Sequence, residues 1–142
     1  MYAFLSNFRP RSVNAEKKHI YYTALVTAFN QYNHTATQTN SDLYGFAYYF
    51  HRIKTGLDAD NLSKPIWDAL RLVAYPDDKL IRFRSSAVFD LQSQGIEVLD
   101  LSNMPDEILD DFLEMIDNGD DHILYVELGK FDFGLFQFGY ER

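Results

Sequence analysis

The chain has 142 residues, 46% of them hydrophobic and 16% aromatic, which suits one folded domain with its own core and excludes a disordered tail. It has no cysteine, which excludes disulfides and thiolate metal sites. The net charge of −8 argues against indiscriminate nucleic-acid binding, yet it is unevenly spread: residues 1–84 carry 11 Lys and Arg against 7 Asp and Glu, and residues 85–142 carry 2 against 14. No Lys or Arg stands between Arg84 and Lys130, so a mildly basic body precedes an acidic C-terminal part. The opening "MYAFLSNFRPR" lacks the pattern of a signal peptide, and no apolar run reaches membrane-spanning length. A soluble, cytoplasmic protein with no membrane contact is expected.

In chain order, "YAFLSNF" (2–8) reads as a strand and 9–18 as a loop with Pro10 and Ser12 in turns. Residues 19–32 suit a helix with Ile20, Ala24, Ala28 and Tyr32 as its apolar stripe and Leu25 and Phe29 beside it. After a polar loop at 34–42, "LYGFAYYFHRI" (43–53) reads as a buried strand with apolar residues on both faces. Leu62, Ile66, Ala69, Leu70 and Val73 line one face of the next helix, with Pro65 expected in its first turn. A turn at 74–79 leads to a strand at 80–91, with Leu80, Arg82 and Arg84 on one face and Ile81 and Phe83 on the other. Residues 96–101 read as a short strand. An acidic helix follows at 104–117, capped by Ser102 or Asn103, with Ile108, Leu109, Phe112 and Ile116 inward. The end (122–138) reads as a hairpin turning at Gly129-Lys130. The expected fold is α/β, an α+β two-layer sandwich: a mixed sheet with helices mainly on one face, forming a single domain over 1–142.

"GLDADNLSKPIWDAL" (56–70) concentrates the chemistry. Asp58 and Asp60, read as extended chain leaving a strand, would point the same way and offer hard oxygen ligands suited to Mg²⁺. The helix beginning near Asn61 or Leu62 would aim free N–H groups and its positive dipole end at the same place, favouring a phosphate. Lys64 would add a full positive charge. If the strand after Asp77 and Asp78 pairs beside the one ending near Ile53, that turn would return to the same site. Such a set suits metal-assisted phosphodiester hydrolysis. The same residues also suit helix capping by Asp60 and turn formation at Asp77-Asp78. An EF-hand loop is excluded, because Leu62 and Ser63 stand where a ligand and a glycine would be needed.

"DADNLSKPIWDAL" followed by "YPDDKLI" resembles the RusA family of Holliday junction resolvases, whose pattern is Asp-x-Asp-Asn-x-x-Lys, Asp-Ala-Leu, then an Asp-Asp pair before a strand. "RPRSVNA" also resembles the family's N-terminal Pro-x-Ser-x-Asn segment, so the similarity spans about residues 3–92 and leaves 93–142 divergent. The resemblance implies a homodimer that cuts paired strands of four-way branched DNA with Mg²⁺, for which Mn²⁺ would substitute. It implies Asp58, Asp60 and Asp78 as metal ligands, with Asp77 a weaker candidate, and Lys64 as the catalytic lysine. Arg9, Arg11, Lys17 and Lys18 form a basic loop suited either to DNA phosphates or to solvent. His19, His34 and His51 show no metal spacing and are expected at the surface or in structural roles. Tyr21, Tyr22, Tyr48 and Tyr49 suit a core or dimer interface better than base stacking. The other function class is a catalytically silent relative, a binding module whose acidic C-terminal face meets a partner protein.

Overall fold

A computed structural model describes residues 1–141. The chain runs β1 (Tyr2–Ser6), α1 (Lys18–Tyr32), β2 (Leu43–His51), α2 (Ala59–Leu70), β3 (Ile81–Asp90), α3 (Asp106–Asp117) and β4 (His122–Lys130). The sheet order is β1-β4-β2-β3; β2 and β3 are parallel, and β4 runs antiparallel to both β1 and β2. The fold is a two-layer α+β arrangement on a mixed sheet, as the alternating elements predict. Among the described residues no helix is long and apolar enough to cross a membrane.

Strand alternation divides the core. Phe4, Leu43, Ala47, Tyr49, Leu124, Val126 and Leu128 face one side and meet Tyr21, Leu25, Phe29, Leu62, Ile66, Trp67 and Leu70 of α1 and α2. Ala3, Leu5, Phe50, Ile123 and Tyr125 face the other side and meet Ile108 and Phe112 of α3. Two helices therefore cover one face, and α3 covers part of the second. The inward stripe of α1 is Tyr21, Leu25, Ala28 and Phe29, rotated from the expected one; Ile20 is 45% exposed.

Four further expectations are corrected. Residues 96–98 form a 3₁₀ turn and not a strand. The cap position of α3 is Pro105, with no side-chain cap from Ser102 or Asn103. The terminal hairpin is absent: β4 is a central strand whose two edges already pair with β1 and β2, so the segment after Lys130 has no free edge there and forms a 3₁₀ turn at Phe133–Leu135. Gly129 is not a turn residue but part of β4, where an added Cβ would strike the Tyr44 ring. Finally, Ile81 and Phe83 do not share a face. The β2–β3 register shifts between Leu43 and Tyr44, so Ile81 packs with the α1–α2 core while Phe83 meets Phe46 on the other side. An extra residue in one strand re-aims every side chain that follows it. Arg84, Ser86 and Val88 consequently lie on the α2 face.

Candidate active site

Helix α2 begins at Ala59, earlier than expected, and this changes the local geometry of the carboxylates. Asp58 is the N-cap with extended dihedrals, and its Oδ1 accepts a hydrogen bond from the Asn61 amide at 2.9 Å. Such a cap satisfies one of the orphan donors of the first turn. Asp60 is the second helical residue, so the two are not neighbours across a pleat; both stand exposed at the positive end of α2. Pro65 falls in the second turn and not the first. It leaves the Asn61 carbonyl without an intrahelical donor.

Asp60, Lys64 and Asp68 recur at four-residue spacing and share one side of α2. The Lys64 ammonium sits 3.6 Å from the Asp68 carboxylate and its side chain is 63% exposed. Asp68 is a partner the motif reading missed, although the i, i+4 spacing announces it.

Two contacts tie this edge to β3. The Ser86 hydroxyl donates to the Ala59 carbonyl at 2.7 Å, fixing the start of α2 over the middle of the strand. Arg84, two residues earlier on the same face, donates through Nη2 to the Asp78 carbonyl at 2.7 Å and lies 3.5 Å from its carboxylate. Asp78 opens a 3₁₀ turn, and Asp77 caps it by accepting from the Lys79 amide at 3.0 Å. That amide bond holds the Asp77 carboxyl below its ordinary range. The bulge in β3 is what turns Arg84 toward Asp78, and neither Arg84 nor Ser86 carried a sequence signal.

Asp58, Asp60 and Lys64 thus lie in the first turns of α2 and Asp78 opens the turn before β3, the strand that Ser86 ties to the start of α2. The structure does not gather three His, Asp or Glu side chains into a ready metal-binding group among the described residues. The Asp77-Asp78 turn does precede a strand paired beside β2, but it is held by Arg84 and Lys79 and not by Asp58 or Asp60.

The basic loop splits. Arg9, Arg11 and Ser12 line a groove of about 330 Å³ with Thr55, Gly56, Leu57 and Asn61, directly beside the start of α2. Lys17 and Lys18 are exposed at the start of α1 and do not line it. Tyr21 and Tyr49 are fully buried, which excludes base stacking for them.

Fold and edge together define a small α+β protein whose acidic edge carries the residue types that phosphodiester chemistry uses. The family model described as Endodeoxyribonuclease RusA matches residues 29–99, half of the chain and all of α2 and its flanking carboxylates. The chain belongs to the RusA endodeoxyribonuclease family, whose members are Holliday junction resolvases. No curated protein matches it.

Proposed function

We propose that the protein is a Mg²⁺-dependent, structure-specific endodeoxyribonuclease that cuts paired strands at a four-way DNA junction as a homodimer. What carries this reading is that Asp58, Asp60, Lys64 and Asp78 are all present, in order, in a RusA-family chain. The donor chemistry fits Mg²⁺, which is typically held by one or two carboxylates together with waters and substrate phosphates and needs no closed protein cage. Asp58, through its non-capping oxygen, and Asp60 would hold the ion, with Asp78 completing the set once released from Arg84. When bound, the ion would polarise the phosphate and lower the pKa of a water.

The remaining work belongs to the chain. The amides of the first turn of α2 and its dipole attract a phosphate oxygen. Lys64, itself exposed and paired to a half-buried Asp68, exchanges that weak contact for the charge that develops on the phosphate. Arg84 balances Asp78 while no substrate is present. Dimerisation fits a two-fold junction, in which two opposed strands are cut. The second face of the sheet supports it: Tyr44, Phe46 and Tyr48 remain half-buried beside the 99–104 segment, in an aromatic surface that a second copy would cover.

Crystals soaked in Mn²⁺ test the reading. An anomalous peak within ligand distance of Asp58 or Asp60 is the expected result, and a peak only on the α3 carboxylates would overturn the assignment.

A further inference from the structure

Four buried side-chain polar atoms have no hydrogen-bond partner among the described residues: Arg11 Nε, Tyr21 Oη, His51 Nδ1 and Trp67 Nε1. Unpaired buried polar atoms are uncommon in native proteins, so each calls for a reason. His51 stands opposite His122 across the β2–β4 ladder, and both project to the α1–α2 face. Tyr49, two residues before His51, bonds through its hydroxyl to His122 Nδ1 at 2.7 Å, with ring centroids 5.5 Å from His51 and 6.0 Å from His122.

His51 is 8% exposed and lines a cavity of about 250 Å³ with Lys54, Thr55, Gly56, Leu57 and Asp90. The groove of Arg9 and Arg11 lies against the same Thr55–Leu57 segment, which leads straight into Asp58. Gly56 has a φ of 76° and nothing within 4 Å of where a Cβ would stand, so the backbone at this crossing is open to a ligand. The charges here are mixed: Arg9, Arg11 and Lys54 are positive, and Asp90 and Asp121 are negative. His122 faces Arg9, Arg11, His51 and Tyr49, with Asp121 as the one acidic group acting on it. Burial, the two arginines and His51 lower the His122 pKa, while Asp121 raises it.

We propose that Arg9, Arg11, His51 and His122 form a phosphate subsite beside the N-terminus of α2, which seats the DNA backbone next to the Asp58–Asp60 edge. It rests on the nuclease reading above and adds His51 and His122 to the Arg9–Arg11 loop. Arg9 and Arg11 supply the permanent charge, and His51 lines the adjoining cavity. His122 takes up a proton as the phosphate arrives, because the anion offsets the burial and the positive charge of Arg9 and Arg11 that lower the His122 pKa in the free protein. Binding linked to proton uptake strengthens as pH falls; for a shift of one pKa unit the gain across the titration is roughly tenfold. These are positioning residues and not catalytic ones.

Two measurements test it. The first is anisotropy of a fluorescein-labelled four-way junction with the intact protein in Ca²⁺ between pH 6 and 8, for wild type and for His122→Gln. Wild type is expected to bind a few-fold tighter at pH 6 than at pH 8, about as far as the titration of one shifted imidazole falls within that range, and His122→Gln is expected to lose most of that dependence. An identical pH profile in the two proteins would overturn the proposal. The second, which requires no variant to fold, follows the imidazole ¹H–¹⁵N resonances of wild type during titration with inorganic phosphate. The His122 pKa is expected to rise, while His19 and His34 stay unchanged. Histidine signals that ignore phosphate in a protein that binds and cuts the junction would sink the subsite and leave the nuclease reading intact. Phosphate-shifted histidines in a protein that never binds the junction would support the subsite and sink the nuclease reading.

Discussion

Asp58 serves two masters, the first turn of α2 and the proposed reaction, and substitutions separate them. Its Oδ1 accepts from the Asn61 amide at 2.9 Å. Replacing such a cap by alanine typically costs about 1 kcal/mol. For a chain of this size that corresponds to a fall in Tm of roughly 3 °C. Asp58→Asn keeps an oxygen acceptor at the same place and ranks with Asp as a cap. It loses only the attraction of a carboxylate to the helix dipole, about 0.3–1 kcal/mol. Stability should therefore fall in the order wild type, Asp58→Asn, Asp58→Ala. Cleavage should not follow that order, because both variants remove the same charge. Both are expected to lose roughly two to three orders of magnitude in single-turnover junction cleavage. Thermal denaturation and gel-resolved cleavage on the same preparations give the two readouts. Asp58→Asn cutting at the wild-type rate would show that Asp58 only caps the helix.

The Lys64–Asp68 pair contributes at most about 0.5 kcal/mol to folding, so Lys64→Ala should keep the Tm and junction affinity while lowering the cleavage rate by orders of magnitude in rapid-quench assays. Gly45→Ala should destabilise by about 1–3 kcal/mol in denaturant unfolding, since the new methyl would stand 2.8 Å from the Trp67 ring and 3.1 Å from Ile81. Helix α3 packs on the face opposite α2, with the sheet between, so the sheet stands between its outer carboxylates and the Asp58–Asp60 end of α2. Replacing the exposed Asp110, Glu114 and Asp117 by their amides should therefore change junction anisotropy less than about twofold; marked tightening would place the acidic helix in the DNA path.

What was legible in the sequence is the part written in local periodicity. The apolar face of α2, the strand on either side of it and the carboxylate order between them follow from spacing of 3.6 and 2 residues. The acidic helix is equally clear. What was not legible depends on pairings between distant segments. Nothing local says that β4 inserts between β1 and β2, so its Gly129-Lys130 end read as a hairpin turn, when the glycine is there to admit Tyr44. The extra residue near Arg82 is equally silent, yet it turns Arg84 onto the α2 face and so gives Asp78 its partner. Asp58 and Asp60 looked like extended chain because the helix was placed to start after them; as N-cap and second helical residue they owe their positions to the first turn itself. His51 and His122 look unrelated 71 residues apart and meet only through the β2–β4 register.

The most direct test of the account is cleavage of an end-labelled four-way junction by the purified protein, set against linear duplex of the same sequence, with Mg²⁺ and with EDTA. The account predicts paired nicks in opposed strands of the junction, only with Mg²⁺, and an intact linear duplex. Tight binding of the junction without any Mg²⁺-dependent cut, at protein in excess, would contradict it.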